Sequence, residues 1–367
     1  MKVLQIYKTY TPDTFGGVEQ VIKNIVTETT PLGASHTLLT ASPQARRDQI
    51  DGLPVIRCQL NFEIASCPFS FDFLRKFKKI AADFDVLHFH YPWPFADLTY
   101  LLHRIHTPSL VTYHADALKN RALKMLYAPV QHAFLHQVTR IVTTSANLLR
   151  TSVTLQKYAA KTEVIPIGIN PAAYPPSNAQ ICEKWQTQLG SKFALFMGVL
   201  RHYKGLHTLI EAAGHTQMPI VIAGGGPLHD ELAGLIATHK LAHVHLLGRV
   251  SDEDKIALLS LCSMLLLPAH HRAEAFGVSL LEGMLFQKPL ISTELGTGTS
   301  YVNQNGQTGF VVPPGNAAAL AQKINFLQAN PVIAKEMGAA AYAWFLKEFQ
   351  SVIMGERYFK LYNDLLR

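Results

Sequence analysis

Short apolar runs alternate with helical patterns along most of the chain. Residues 2–7 form an apolar run that ends in a loop of Thr, Pro, Asp and Gly. After this loop, apolar side chains recur at helical spacing, at Val18, Val21, Ile22, Ile25 and Val26. A strand, a glycine-containing loop and a helix in this order predict the first unit of a doubly wound α/β domain.

The same pattern predicts two series of parallel strands. The first series continues at residues 37–40, 86–90, 109–114, 140–145 and 163–168. The second occupies residues 193–200, 219–225, 243–249, 263–268, 289–293 and 309–313. Most of these runs are apolar on both faces, which is typical of strands buried inside a parallel sheet.

A stretch rich in Pro and Gly at residues 166–180 separates the two series and is interpreted as a linker. We therefore predict a first domain over residues 1–174 and a second over residues 175–352. The tail, residues 353–367, has a helical pattern and is too apolar for a free end, so we expect it to dock on the first domain. Ligands of such sheets bind beyond the carboxyl ends of the strands.

Composition and charge narrow the function classes. Of 367 residues, 48% are hydrophobic and 16% charged, which predicts a globular chain. The first 172 residues hold 18 Lys and Arg against 12 Asp and Glu, whereas the remainder holds 15 against 14. The basic first half predicts an anionic partner: a phosphorylated substrate, an acidic membrane surface or a nucleic acid. No apolar run approaches the length of a membrane span or a signal-peptide core, so we expect a cytoplasmic location.

Two loops that follow predicted strands carry groups suited to phosphate. Gly16 and Gly17 precede a helix, where backbone N–H groups and the helix dipole favour an anion. Arg201 and Lys204 lie between a strand and a helix, where two cations could clamp a diphosphate. Taken alone, the glycines also fit a plain turn, and the two cations fit a solvated basic loop.

A third loop combines two carboxylates with a helix start. Glu274 and Glu282 flank a segment in which a helix is predicted to begin near Gly277. The backbone N–H groups of Phe276, Gly277, Val278 and Ser279 would then be free to bind an anion. A carboxylate in such an apolar stretch needs a polar partner, for example a sugar hydroxyl. In isolation the two residues could equally be surface carboxylates.

Together these segments resemble the retaining glycosyltransferases of family 4. The motifs that carry the resemblance occur in the family's order along essentially the whole chain: GGVE (16–19), GVLRHYKG (198–205), AGGGPLHDEL (223–232), LGRVSDED (247–254) and EAFGVSLLEGM (274–284). The resemblance implies the GT-B fold, in which two Rossmann-like α/β domains face each other across a cleft and the last helix returns to the first domain. The first domain would bind the acceptor and the second the nucleotide sugar.

The resemblance also implies a role for each site residue. Gly16 and Gly17 would lie against the donor phosphates, and Arg201 and Lys204 would neutralise the diphosphate. Glu282 would bind the ribose and Glu274 the donor sugar. Further contacts would come from the base-binding main chain at Arg249 and Val250, and from His114 near the transferred sugar. Many family members place the arginine at the position of Val199, so the charge is expected to come from Arg201 instead.

Several patterns are interpreted as structural and not as chemical. The Asp-containing triplets at residues 83–85 and 252–254 look like metal motifs, but capping and solvation explain both. His132 and His136 have helical spacing without the glutamate of a zinc protease. Most of the histidines near Trp93 (His88, His90, His103 and His106) are expected to be core or acceptor-loop residues. We therefore expect no metal and no cofactor beyond the nucleotide sugar.

Residues 71–82 form a basic amphipathic segment, in which Phe71, Leu74 and Phe77 are grouped on one face. The basic residues Arg75, Lys76, Lys78 and Lys79 predict binding to an anionic membrane surface, so the protein would be peripheral on the inner face of the cytoplasmic membrane. The alternative is a surface helix packed on the first sheet.

The resemblance therefore implies transfer of a hexose, with retention, from a nucleoside diphosphate sugar to a glycan or lipid-linked acceptor in polysaccharide or lipopolysaccharide synthesis. The opening segment and the loop at residues 200–205 look most like mannosyl- and rhamnosyl-transferring members, which favours a GDP-linked donor over a UDP-linked one. A nucleotide-sugar epimerase is the alternative enzyme. A nucleic-acid-binding protein is the non-enzymatic alternative, but the chain lacks an element rich in arginine and aromatic residues, so we expect no nucleic acid partner.

Overall fold

The computed structural model describes residues 1–116 and 121–367, and it divides into two compact units. The first unit comprises Met1–Gly168 with Ser351–Arg367, and the second comprises Ile169–Gln350. The division falls before the predicted boundary at residue 175. The reason is that the backbone N–H of Ile169 donates to the carbonyl of Phe349, 2.9 Å away, so the chain enters the second unit at Ile169.

The first unit contains an eight-stranded sheet and a small hairpin. The described residues of this unit form ten strands, which are β1 (Lys2–Ile6), β2 (Ser35–Ser42), β3 (Arg46–Ile50), β4 (Leu53–Gln59), β5 (Phe62–Ile64), β6 (Cys67–Phe69), β7 (Val86–Tyr91), β8 (Ser109–Tyr113), β9 (Arg140–Thr143) and β10 (Thr162–Val164). The order in the sheet is β10-β9-β8-β7-β1-β2-β4-β3, parallel except for β3, and β5 and β6 form the antiparallel hairpin.

Helices follow β1, β6, β7, β8 and β9. They are α1 (Gly17–Thr29), α2 (Phe71–Ile80), α3 (Pro94–His103), α4 (Arg121–Gln137), α5 (Ala146–Thr151) and α6 (Val153–Gln156). All six strands predicted for this unit are present. Strands β3 to β6 were not predicted, because their apolar pattern is interrupted. In β4 the interruption is Arg57, which is completely buried and paired with Asp13 at 2.8 Å and Asp48 at 2.5 Å.

The second unit is a doubly wound parallel sheet of six strands. They are β11 (Ala194–Met197), β12 (Ile220–Ala223), β13 (Val244–Gly248), β14 (Met264–Leu267), β15 (Leu290–Thr293) and β16 (Gly309–Val312). Their order is β13-β12-β11-β14-β15-β16, the arrangement of dinucleotide-binding Rossmann domains. Every strand of the predicted second series is present, and β11, β12, β14 and β15 are fully buried, as expected for uninterrupted apolar runs.

Eight helices belong to the second unit. They are α7 (Ala179–Leu189), α8 (Leu206–Ala213), α9 (His229–Thr238), α10 (Asp252–Leu261), α11 (Val278–Leu285), α12 (Thr299–Val302), α13 (Ala317–Ala329) and α14 (Pro331–Glu348). Ser251 caps α10 by accepting a hydrogen bond from the backbone N–H of Asp254, so the triplet at residues 252–254 opens a helix, as interpreted.

The final helix, α15 (Ser351–Leu365), packs on the first unit, which confirms the predicted docking of the tail. Tyr358 and Tyr362 are buried against its sheet. A Cβ added to Gly355 would lie 2.3 Å from Cβ of Glu28 in α1, so glycine allows the two helices to approach closely. Ser351 donates a hydrogen bond of 2.5 Å to Glu28 at the same contact.

The register of α2 differs from the predicted one. Phe73 and Phe77 are completely buried, whereas Phe71 is 58% exposed. The helix begins at Phe71 because the Ser70 side chain caps it, and residues four apart then share the face that packs on the core. Lys76 lies beside that face, where it donates to the carbonyl of Arg57 at 3.3 Å and pairs with Asp72 at 2.7 Å. The apolar face is therefore occupied by the protein's own core.

Among the described residues, no helix combines the length and the apolarity that a bilayer span requires.

The docking of α15 generates a stability prediction. Removal of residues 351–367 should expose the sheet surface that Tyr358 and Tyr362 cover and produce an aggregating protein. Loss of one buried aromatic side chain costs about 3–5 kcal/mol, which for two is comparable with the whole stability of a domain. Size-exclusion chromatography and thermal unfolding measure the effect. Removal of only Leu366 and Arg367, both exposed, is the matched control and should change neither. A monomeric protein of normal stability without α15 would contradict the prediction.

Candidate functional site

The strand order of the second unit places two loops next to each other. β11 and β14 are neighbours although they are far apart in sequence, and this reversal of strand order is where doubly wound sheets bind ligands. The loop after β11 carries Lys204, and the loop after β14 carries Glu274. The backbones touch: a Cβ on Gly205, which has φ of +72°, would lie 1.9 Å from the carbonyl oxygen of Pro268.

Lys204 and Glu274 form an ion pair at this point. Nζ of Lys204 donates to Oε2 of Glu274, and the two side chains are only 13% and 9% exposed. Thr297 donates a hydrogen bond of 2.8 Å to the backbone carbonyl of Glu274 and holds the main chain at this residue. Two residues predicted separately, one for phosphate and one for sugar, thus contact each other directly.

The electrostatics of the pair keep Lys204 charged. Burial acts to lower the pKa of Lys204, but the carboxylate of Glu274, with contributions from Tyr203 and Glu282, raises that pKa above its ordinary value. The ammonium group is therefore a permanent cation in an enclosed position. A cation of this kind can exchange one anionic partner for another, such as a phosphate group.

Arg201 is arranged differently. It is exposed, and within residues 1–116 and 121–367 its guanidinium has no hydrogen-bond or ion-pair partner. Val199, which occupies the position where many family members have arginine, is also exposed. The loop from Gly198 to Gly205 therefore presents one paired and one free cation.

The helix α11 begins beside this loop. Gly277 caps it with φ of +89°, in the left-handed region that favours glycine, and Phe276 is buried beneath. The first N–H groups of a helix, here near Val278 and Ser279, have no intrahelical partner. The hydroxyl of Ser279 is buried and, in the described part of the chain, has no hydrogen-bond partner. The predicted helix start is confirmed, and it offers hydrogen-bond donors.

Glu282, on α11, has two partners that the sequence analysis missed. Tyr174 donates a hydrogen bond of 2.8 Å to Oε1, and Nζ of Lys255 lies 3.3 Å from the same oxygen. The other oxygen, Oε2, has no partner among the residues that the structure describes. Burial, followed by the nearby Glu282, raises the pKa of Tyr174, so its phenol stays protonated and acts as a donor. Tyr174 and Lys255 therefore hold Oε1 of Glu282, and Oε2 is available to a ligand.

Arg249 and Val250 directly follow β13, at the same edge of the sheet. Arg249 is exposed, and its side chain lies over Gly225: a Cβ there would be 2.7 Å from Cγ of Arg249. The loop of Gly224 and Gly226 passes equally close to the backbone of residues 198–200. All the predicted ligand-binding residues of the second unit therefore lie in loops or helix starts that follow its strands, apart from Glu282 within α11.

In the first unit, the predicted phosphate loop is occupied in part by a carboxylate. A Cβ on Gly16 would lie 2.7 Å from Oε2 of Glu19, and Glu19 accepts hydrogen bonds from Thr9 at 3.1 Å and Thr14 at 2.6 Å. Gly16 is therefore needed for the packing of Glu19. Gly17 has open space around it and remains accessible.

His114 follows β8 and is buried. Its Nε2 lies 3.0 Å from Nδ1 of His90, which confirms His90 as a core residue. His88 is buried on the same face of β7, because residues two apart in a strand point to the same side. Burial lowers the pKa of His114 to about 3, so its imidazole is neutral at pH 7. Within the described ranges, no three His, Cys, Asp or Glu side chains form a group that could hold a metal ion.

Comparison with known families identifies both units. The model described as Glycosyltransferase Family 4 matches residues 15–173, and the model described as Glycosyl transferases group 1 matches residues 178–344. Among solved structures, sucrose-phosphate synthase from Thermosynechococcus elongatus superposes with a TM-score of 0.82, at 19% identity, over 99% of this chain and 98% of that one. This likeness shows the fold, which is GT-B.

Two curated relatives are similar over nearly their whole length. The D-rhamnosyltransferase WbpZ of Pseudomonas aeruginosa is 45% identical over 351 residues, which cover 95% of this chain and 92% of that protein. The O-antigen chain mannosyltransferase C of Escherichia coli is 40% identical over 369 residues, which cover 100% and 99%. The chain therefore belongs to the family 4 glycosyltransferases and is a hexosyltransferase with the GT-B fold.

Proposed function

We propose that this enzyme transfers mannose or a related hexose from a nucleoside diphosphate sugar to a growing glycan of a bacterial surface polysaccharide, with retention of configuration. The observation that carries the proposal is the arrangement in the second unit, where a buried cation, a helix start and two carboxylates lie at the switch point of the sheet. The names of the two curated relatives support the choice of sugar and pathway.

In the proposed reaction the bond between C1 of the sugar and the phosphate oxygen breaks, and a bond between C1 and the acceptor oxygen forms on the same face. The acceptor hydroxyl gives its proton to the departing diphosphate. Lys204 and Arg201 neutralise the charge that develops on the leaving group, which is the main contribution a preorganised site can make. Glu274 orients the sugar and stabilises the positive charge that develops at C1.

The other residues of the second unit complete the donor site in this proposal. Oε2 of Glu282, which is open, accepts hydrogen bonds from the ribose hydroxyls. The free N–H groups at the start of α11 and the unpartnered hydroxyl of Ser279 donate to phosphate oxygens. Main chain at Arg249 and Val250 contacts the base. In the first unit, Gly17 supplies a backbone N–H for an anion, with Gly16 required for packing, and His114 contacts a sugar hydroxyl.

The first test concerns the identity of the nucleotide in the donor. We expect GDP and GDP-mannose to raise the melting temperature more than UDP, ADP and their sugars, because a ligand that binds only the folded state stabilises it by about 2.7 kcal/mol at 100 times its Kd. Thermal-shift measurements on the full chain provide the comparison. Stabilisation by the UDP series alone would replace the GDP-linked donor with a UDP-linked one, and stabilisation by none of them would contradict the proposed function.

The phosphate role of Lys204 supplies a control for this panel. Lys204→Ala should weaken the binding of GDP by about 10- to 150-fold. This corresponds to about 1.5–3 kcal/mol, the loss expected for a hydrogen bond to a charged group. Guanosine, which has no phosphate, should bind as before. Lys335→Ala removes an exposed lysine from α14 and should affect neither ligand. Equal weakening of GDP and guanosine by Lys204→Ala would reject the diphosphate role.

The two glutamates should separate kinetically. Glu274→Gln should lower kcat about 100-fold or more, equivalent to roughly 2.7 kcal/mol, because its contact with the sugar matters most in the transition state. Binding of GDP should change little, since GDP carries no hexose. Glu282→Gln should instead weaken GDP itself. Turnover and nucleotide affinity of both variants are measured by transfer assay and calorimetry.

Tyr174→Phe is the matched control for Glu282, because it removes the hydrogen bond to Oε1 and leaves the open Oε2 in place. It should reduce GDP affinity less than Glu282→Gln does. The assignment is wrong if Glu274→Gln retains near-normal turnover, or if it weakens GDP as much as Glu282→Gln.

We also propose that the acceptor is lipid-linked and that the first unit binds an anionic membrane surface. Support comes from an apolar hollow of about 250 Å³, whose wall includes the exposed side chains of Ile64, Leu98 and Leu126. Phe95, which also lines it, packs on Phe73 of α2, with ring centroids 6.1 Å apart. The hollow therefore adjoins the helix that carries the basic cluster.

The membrane prediction uses the three exposed cations of α2 and leaves out Lys76, which is structural. Replacement of Arg75, Lys78 and Lys79 by Gln should weaken binding to phosphatidylserine vesicles at low salt by about 1 kcal/mol per charge, or roughly 100-fold in total. Replacement of Lys192, Lys335 and Lys347, also exposed, removes the same charge from the second unit and should have little effect. If the parent protein does not bind such vesicles, the membrane proposal fails.

A further inference from the structure

A chain of buried hydrogen bonds crosses the sheet of the first unit and ends at His114. It starts in α1, where the hydroxyl of Thr29 donates to the carbonyl of Ile25 at 2.6 Å. A carbonyl oxygen can only accept, so the single hydroxyl proton of Thr29 is used in this bond. Nε2 of His36 lies 2.7 Å from the same hydroxyl oxygen and must therefore donate to it.

The position of the proton on His36 determines the orientation of the Gln5 side-chain amide. Burial lowers the pKa of His36 to about 4, so at pH 7 the ring carries one proton, on Nε2, and its Nδ1 is bare. Nε2 of Gln5 lies 3.2 Å from that Nδ1 and donates to it. The amide orientation of Gln5 follows: its nitrogen faces His36, and its oxygen faces His90.

The orientation of Gln5 in turn determines the tautomers of His90 and His114. Nε2 of His90 lies 2.8 Å from Oε1 of Gln5 and must donate, which leaves Nδ1 of His90 bare because burial holds the pKa of this ring well below its ordinary value. His114 then donates from Nε2 to that Nδ1, at 3.0 Å. Its own Nδ1 is left without a proton and, among the described residues, without a hydrogen-bond partner.

The C-terminal helix α15 also contacts this series of hydrogen bonds, through the hydroxyl of Tyr362. Nε2 of Gln5 also lies 3.2 Å from the hydroxyl of Tyr362, which in turn lies 2.7 Å from Nδ1 of His88. If Gln5 donates to Tyr362, the phenol is free to donate to His88, and His88 can donate from Nε2 to Thr112 at 2.7 Å. The hydrogen bonds of Tyr362 and His88 therefore agree with the same orientation of the Gln5 amide.

We infer that Gln5, His36 and His90 are positioning residues that hold His114 in one tautomer, with a bare Nδ1 that accepts a hydrogen bond from a sugar hydroxyl of the substrate. This inference rests on the proposed function of His114. The chain crosses from β1 to β7 at the reversal of strand order in the first sheet, where ligands of such sheets bind. It assigns a function to buried histidines that otherwise look like ordinary core residues.

The tautomers are measured directly, without any activity. The full chain with ¹⁵N-labelled histidine is examined by long-range ¹H–¹⁵N correlation, and His114→Gln, His90→Gln and His36→Gln assign the three rings by loss of signal. We expect all three to be protonated on Nε2 and bare on Nδ1 at pH 7. A proton on Nδ1 of any of the three rings would contradict the inferred hydrogen-bond directions. This result would not depend on whether the protein transfers a hexose.

The ligand role is tested on the same sample. GDP-mannose or methyl α-D-mannopyranoside, added separately, should move the Nδ1 resonance of His114, and the probe that does so distinguishes the donor sugar from an acceptor sugar. GDP alone should not move it, because it has no hexose. If neither sugar moves this resonance while GDP binds normally, His114 does not accept a hydrogen bond from a sugar hydroxyl, and that role is rejected. The nucleotide site proposed for the second unit is then unaffected.

Two substitutions at His90 separate positioning from simple structural support. His90→Asn places an amide oxygen where Nδ1 was, so the bond from His114 can persist, whereas His90→Gln reaches toward Gln5 and loses it. His90→Gln should lower kcat by about 10-fold with unchanged GDP affinity, the loss expected for one hydrogen bond, and His90→Asn should restore most of it. Equal activity of both variants, at normal or reduced level, would overturn the positioning role.

Discussion

The direct backbone contact between the loops after β11 and β14 is the constraint on which the second unit's site depends. Gly205 lies so close to the carbonyl of Pro268 that any side chain would collide with it. This proximity delivers Lys204 to Glu274 and places both beside the start of α11. The chemistry of the site is therefore built on strand order: without the adjacency of β11 and β14, the cation and the carboxylate would belong to separate surface loops.

Much of the fold could be predicted because buried parallel strands produce unbroken apolar runs, and the loops that follow them are easily located. Lys204, Glu274 and Glu282 could be assigned to one edge of the sheet in the same way, but their hydrogen-bond and ion-pair partners could not be predicted. Tyr174 comes from a segment that looks like a linker, and Lys255 from the first turn of a surface helix, so neither has a local pattern that points to Glu282. Such pairings are set by tertiary structure alone.

The incorrect parts of the prediction have identifiable physical causes. The helical pattern of α2 contains enough aromatic residues for two different apolar faces, and the face with Phe73 and Phe77 is the one that packs into the core of the first unit. In β4, a buried arginine interrupts the apolar run but is stabilised by Asp48 of the neighbouring strand β3 and by Asp13, which lies 44 residues away in sequence. A buried charge with two carboxylate partners is acceptable in a core, yet its single letter in a sequence resembles an exposed position.

The ion pair between Lys204 and Glu274 has a consequence for the end of each catalytic cycle. In the proposed reaction the diphosphate product leaves a buried cation behind, and an uncompensated buried charge costs several kcal/mol. Glu274 is already within bonding distance and can take the place of the departing phosphate. In that reaction the carboxylate would act as an internal competitor of the product, which would lower the barrier to release and limit product inhibition. The same competition would make the empty enzyme discriminate against weakly charged anions, since only a ligand that offers Lys204 more than a carboxylate does can displace it.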